Sequence, residues 1–150
     1  IASSILAEGR CSSLVKRLRE EMQIVETIDM YITILEQGSL LILEAYCNEK
    51  NIDVVEKEIN IIIQEYNESF CNQKNLDRAK RQVKNGICFS LESTSQISAM
   101  LAAQTLWNRK KSLNGLLEEL NYWDVKKLSE KIFPLINPKL SFTLIAKPKH

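Results

Sequence analysis

Histidine is nearly absent: this 150-residue chain has one, His150, at its last position. Without a second histidine, Ser–His or Cys–His nucleophilic chemistry has no base. Neither helical zinc motif, HExxH or HxxEH, can be written either. His150 alone at a chain end reads as a terminal remnant rather than a functional group. Glycine is scarce as well, with four residues and no cluster, which leaves no glycine-rich phosphate loop. No apolar run approaches the ~20 residues that a membrane-spanning helix needs, and no signal-peptide pattern is seen. No charge excess exists: 20 basic residues face 19 acidic ones, for a net charge of +1. A dedicated nucleic-acid or membrane-surface binder would carry a basic excess. The four cysteines, Cys11, Cys47, Cys71 and Cys88, form no CxxC pair. Their spacing points away from zinc and towards buried free thiols in a reducing compartment, the cytoplasm.

Hydrophobic residues make up 45% of the chain and charged residues 26%, the composition of a soluble globular protein. The length suits one domain with a real core. The first residue is Ile1, and IASSILAEG looks like the last turns of a helix stopped at Gly9, so a fragment or processed product is expected.

Hydrophobic spacing predicts the element order. After Gly9, Ser12 or Ser13 can cap a helix to about Met22, with Leu14, Val15 and Leu18 inward and Lys16, Arg17 and Glu20 outward. The period then becomes two. Ile24, Ile28, Met30, Ile32 and Ile34 share one face, and Thr27, Asp29 and Thr33 the other, as in a strand with one buried face. A Gln37-Gly38-Ser39 turn and a return strand over 39–47 complete an antiparallel hairpin. Next, Asp53 and Glu56 resemble a capping box, ahead of a stripe at Val55, Ile59, Ile62, Ile63, Tyr66 and Phe70. Asn75 can cap a helix with Leu76, Ala79, Val83, Ile87 and Leu91 inward. Ser93-Thr94-Ser95 marks a restart before a helix carrying Ile97, Met100, Leu101 and Leu106. Ser112 and Asp124 cap two further helices, closed by Pro134 and Pro138. Alternation of Leu140, Phe142, Leu144 and Ala146 predicts a final strand over 138–148. The fold class is therefore α+β, a small antiparallel sheet (hairpin plus C-terminal strand) with helices packed on one face.

The remaining polar groups form no self-contained active site. Adjacent acids such as Glu20/Glu21 and Glu118/Glu119 diverge around a helix and read as solvated faces. Two basic clusters, Arg78/Lys80/Arg81/Lys84 and Arg109-Lys110-Lys111, could meet phosphates. With acids nearby and charge in balance, solvated helix faces are the better reading. Trp107, Tyr122 and Trp123 read as packing residues.

Four stretches, in order, nonetheless resemble one family. They are ILAEGRCSSLVKRLREEMQIV, EQGSLLILEAYC, LDRAKRQVKNGICFSLES and SLNGLLEELNYWDVKKLSEKIF. Together they are similar to the C-terminal half of a repeat of the M16 zinc metallopeptidases, the group that includes insulinase, pitrilysin and the mitochondrial processing peptidases. The resemblance runs through nearly all of the chain. It implies that residues 1–150 form a single, partial C-terminal domain, with strands upstream and a zinc-binding domain elsewhere. This chain would then hold no cofactor, and zinc is expected in the parent protein's N-terminal domain. The implied function is that of a non-catalytic domain of a zinc-dependent endopeptidase. It would be inactive alone and form part of a peptide substrate chamber. The alternative is a catalytically dead scaffold subunit. Implied partners are the remainder of the same polypeptide or a catalytic subunit, together with a peptide substrate. No nucleic acid or membrane is implied. Absent upstream strands would expose a sheet edge, through which a homodimer could form.

The resemblance also singles out Arg19. In many active members an arginine here, with a tyrosine seven residues on, reaches the substrate across the chamber. This sequence has Arg19 and then Glu26. Ionised glutamate donates no hydrogen bond, so Arg19 could instead pair with Glu26 or another local acid on the surface. The short LNYWDV link is a second departure from the family pattern.

Overall fold

A computed structural model describes residues 1–35, 37–68, 71–106, 108 and 113–147. The expectations placed on Phe70, Trp107, Arg109-Lys110-Lys111, Ser112 and His150 lie outside the described residues.

Helix α1 (Ala2–Leu6) buries Ser4, Ile5 and Leu6. It stops ahead of Gly9, whose φ of +80° suits only glycine comfortably. Gly9 O accepts both the N–H and the hydroxyl of Ser12. Ser13 Oγ hydrogen-bonds the Tyr66 hydroxyl. Both serines are thus occupied elsewhere, and neither caps the helix that follows. That helix has the expected inward face, with Leu14, Val15 and Leu18 buried. Over Val15–Glu21, however, it is a π-helix. It ends at Gln23, which has a positive φ of 54°. Ile24 N–H closes the end by donating to Leu18 O.

Strands β1 (Thr27–Ile34) and β2 (Ser39–Tyr46) form the hairpin, antiparallel from Thr27↔Tyr46 to Ile34↔Ser39. Ile28, Met30, Leu43 and Ala45 turn to the core. Thr27, Asp29, Tyr31, Glu44 and Tyr46 are exposed on the opposite face. Helices therefore cover one face only, as expected. The buried face is shorter than its alternation suggests. Beyond Met30 the hairpin outruns the helices, leaving Ile32 58% and Ile34 54% exposed.

A 3-10 turn over Glu49–Asn51, capped by Asn48, leads into α2 (Ile52–Glu68). Asp53 is consequently inside the helical run rather than at its cap. The stripe Val55, Ile62, Ile63 and Tyr66 is buried, with Ile59 packed at its margin. Helix α3 (Gln73–Ser90) is capped by Asn72, not Asn75. Asn75 is the residue whose N–H the cap accepts, and its side chain donates to Tyr66. Helix α4 (Thr94–Leu106) starts at the expected restart but has no buried residue, and Leu101 and Leu106 face out. Helix α5 (Leu113–Tyr122) and α6 (Val125–Lys131) follow, the latter capped by Asp124 as expected. Lys127 sits over the Tyr122 ring, 4.1 Å from its centroid, which clamps the short link between these two helices.

Pro134 and Pro138 fall in 3-10 turns, Phe133–Leu135 and Pro138–Leu140. Residues 141–147 form no strand, which corrects the last predicted element. A strand needs a neighbour, and the only sheet among the described residues is the hairpin. Instead the segment is held along α2 by side chains. Thr143 donates to Glu56, and Lys147 pairs with Glu49 at 2.8 Å. Phe142 is left 88% exposed.

The core lies at the base of the hairpin. Ile5, Leu6, Leu14, Leu18, Leu76, Leu128 and Phe133 are fully enclosed there. Burying one such side chain contributes about 1.5–3 kcal/mol. All four cysteines are free, but only Cys71 is buried; Cys11 and Cys88 are exposed. The expected burial of the thiols thus holds for Cys71 alone: Cys11 lies in the turn after Gly9, and Cys88 on the outer side of α3. Burial pushes the Cys71 thiol pKa up.

Candidate functional site

The π-helix presents a charged outer face whose members are nearly all committed. Arg10 forms a two-pronged contact with Glu20, at 3.1 and 3.3 Å. Lys16 and Arg17 both approach Glu21, at 3.6 and 3.9 Å. The Lys16–Glu21 pair spans five residues, which a wider π turn makes possible by setting such residues on one side. Arg17 also pairs with Glu58 of α2 at 3.2 Å, and Glu58 is only 15% exposed. With Ser13–Tyr66, this pair fixes the π-helix against α2 at two points.

Arg19 is the exception. It is exposed, and among the described residues its guanidinium has no hydrogen bond or ion pair. The cause is positional. Residues four and five away on either side are Leu14, Val15, Gln23 and Ile24, none of them a carboxylate. Glu20 and Glu21 point around the helix to Arg10, Lys16 and Arg17. The expected surface pairing of Arg19 with Glu26 or another local acid is therefore not formed. Glu26 is also exposed. Its N–H donates to Tyr46 O at 2.7 Å, making Glu26 the first contact of the hairpin. Asn51 Nδ2 donates to Ile24 O and pins the link between helix and strand. Arg19 is thus an exposed cation on a backbone held at several points. Such a group can donate in a planar fork to a carbonyl or carboxylate.

Tyr46 escaped the sequence reading. The register sets it opposite Thr27, with a phenol 63% exposed at the same end of the hairpin as Glu26. Only pairing across the turn brings the two together, so the signal lay in the register rather than in any local motif.

The first basic cluster divides in two. Arg78 turns inward and donates to Ser4 O, Ile5 O and Glu8 O, closing the C-terminal end of α1. A guanidinium used this way is not available to a phosphate. Lys80, Arg81 and Lys84 remain at the surface, along a groove between α3 and α5. No group of three or more metal-ligating side chains occurs among the described residues. Among the described residues, no helix is long and apolar enough to cross a membrane.

Comparison with known proteins adds the following. The family described as the peptidase M16 inactive domain matches residues 1–83. Among solved structures, the chain is similar to a protease from Helicobacter pylori, with a TM-score of 0.75, 21% identity, and coverage of 86% of this chain and 32% of that one. It is similar to a peptidase M16 inactive domain from Pseudomonas fluorescens, with a TM-score of 0.77, 20% identity, and coverage of 88% and 32%. A conserved protein from Enterococcus faecalis V583 gives a TM-score of 0.76 at 14% identity, with coverage of 85% and 30%. The chain spans about a third of the length of each of these structures. No curated protein matches it.

Proposed function

Because the chain belongs to the family of peptidase M16 inactive domains, we propose that it is a non-catalytic domain of a zinc-dependent endopeptidase, lining the chamber that holds the peptide. Its partners on this reading are the rest of its own polypeptide, or a catalytic subunit, and a peptide substrate. Zinc belongs to the parent protein's N-terminal domain, where it supplies an activated water for hydrolysis. This chain's share is to bind and orient. The same reading includes a reducing, cytoplasmic setting, drawn from four scattered cysteines without a CxxC pair.

The observation that carries the reading is Arg19, an exposed cation without a partner among the described residues, on a helix otherwise tied by ion pairs. Its fork would donate to a peptide carbonyl or a terminal carboxylate. The second reading, a catalytically dead scaffold, draws on Glu26, which offers no donor where the family pattern has tyrosine.

The test is made on the full-length parent protein with its copurifying partners. Zinc content and chelator-sensitive peptide cleavage are measured first, then kcat/KM for Arg19→Ala. One lost charge-assisted hydrogen bond is expected to lower kcat/KM by about tenfold to a hundredfold, with zinc content unchanged. A full-rate Arg19→Ala enzyme removes Arg19 from substrate binding. A parent without zinc and without cleavage establishes the scaffold.

A further inference from the structure

Helix α3 carries a second arrangement of charge that the Arg19 site does not use. Lys80, Arg81 and Lys84 line one side of a groove of about 200 Å3, and Leu117, Leu120 and Asn121 of α5 line the other. Lys80 and Lys84 stand four residues apart on one helix, and Arg81 is adjacent. Like charges at this spacing repel each other and weaken a helix. No ion pair among the described residues relieves them. Asp77, one turn before Lys80 and Arg81, makes no ion pair with them and accepts from Gln73 Nε2 at 2.8 Å, and on the side of α6 Asp124 lies within electrostatic reach of Lys80. The Asp124 oxygens already serve the Lys127 N–H and the Lys127 ammonium. The chain as a whole is close to neutral, so three cations in one groove do not follow from a general basic excess.

We propose that the groove between α3 and α5 binds an acidic segment of polypeptide, with Lys80, Arg81 and Lys84 meeting its carboxylates and Leu117 and Leu120 taking an apolar side chain beside them. Charge complementarity selects an acidic ligand. The two leucines select a peptide over a nucleic acid, since the groove offers apolar side chains and no aromatic platform for bases. Arg78, which would have extended the cationic row, is committed to α1 carbonyls. The site is independent of Arg19, and its test reads binding rather than cleavage.

The probe is a fluorescein-labelled peptide of Glu-Glu-Leu repeats, followed by anisotropy with the full-length protein at several salt concentrations. Saturable binding that weakens as salt rises is expected. Lys80→Gln with Lys84→Gln is expected to weaken it about tenfold. Lys126→Gln with Lys131→Gln removes the same charge from α6 and is expected to change it less than about twofold. All four lysines lie outside the enclosed core, and circular dichroism checks that both variants fold. Three results would each overturn the proposal: no saturable binding, an equal loss in both double variants, or tighter binding of a single-stranded oligodeoxynucleotide of matched charge.

Discussion

Asp124 shows how a single side chain sets both a helix start and a pH dependence. Its Oδ1 accepts the Lys127 N–H at 2.7 Å. That backbone hydrogen bond, aided by the Lys127 ammonium and by Lys80, holds the carboxyl below the usual carboxylate range. A folded pKa below the unfolded value stabilises the fold fully above about pH 4. The contribution is lost as pH falls from there through the lower folded value. Asp124→Asn keeps an acceptor at the cap but removes the titration. Its denaturant midpoint is expected to fall less steeply than the wild type's between pH 5 and pH 3, measured by urea titration at each pH. Identical slopes would show that Asp124 does not couple folding to pH. This cap was legible because Asp124 stands alone before an amphipathic run. The caps of α2 and α3 were not. Asn48 and Asp53 compete before one helix, and Asn72 and Asn75 before the other. Local chemistry accepts either member of each pair, and the incoming backbone path decides between them. Arg19 was legible as a candidate, but its lack of a partner was not, since that depends on where Glu20 and Glu21 point.

Among elements, hydrophobic period identified α1 to α6, the helix around Leu18 and both strands of the hairpin, because it reports which side of an element is apolar. It did not distinguish a π-helix from an α-helix over Val15–Glu21. Both place Leu14, Val15 and Leu18 on one side, and the wider turn shows only in the backbone bonds, where Met22 N–H donates to Arg17 O and Ile24 N–H to Leu18 O. Period also says nothing about whether a face finds a neighbour. Helix α4 has Ile97, Met100, Leu101 and Leu106 at suitable spacing, yet buries none of them. Helix α3 fully buries Leu76 and Ala79. Exchange of α4 amides is therefore expected to proceed by local opening, faster than that of amides around Leu76, which require global unfolding. Hydrogen exchange read by mass spectrometry checks this. Equal protection in the two helices would mean that another surface covers α4.

For the whole molecule, the hairpin is the only sheet among the described residues, so each of its strands has one side without a strand neighbour. Residues 141–147 form no strand, and Leu140, Phe142 and Leu144 are exposed. Open backbone edges next to apolar side chains recruit further strands. Isolated from any longer protein, the chain is expected to self-associate at high concentration, with a mass by light scattering that rises towards a dimer. Ile32→Lys on the exposed end of β1 is expected to reduce this. A monomeric mass at every concentration would count against an open edge. The sequence by itself determined the α+β class, the hairpin register's polarity and the order of elements, because these follow from local period and turn chemistry. Tertiary structure alone decided that Arg78 serves α1, that Arg19 has no partner among the described residues, and that the last segment forms no strand. The first and last depend on groups far apart in the chain and the second on which way Glu20 and Glu21 turn, and a local pattern carries no information about either.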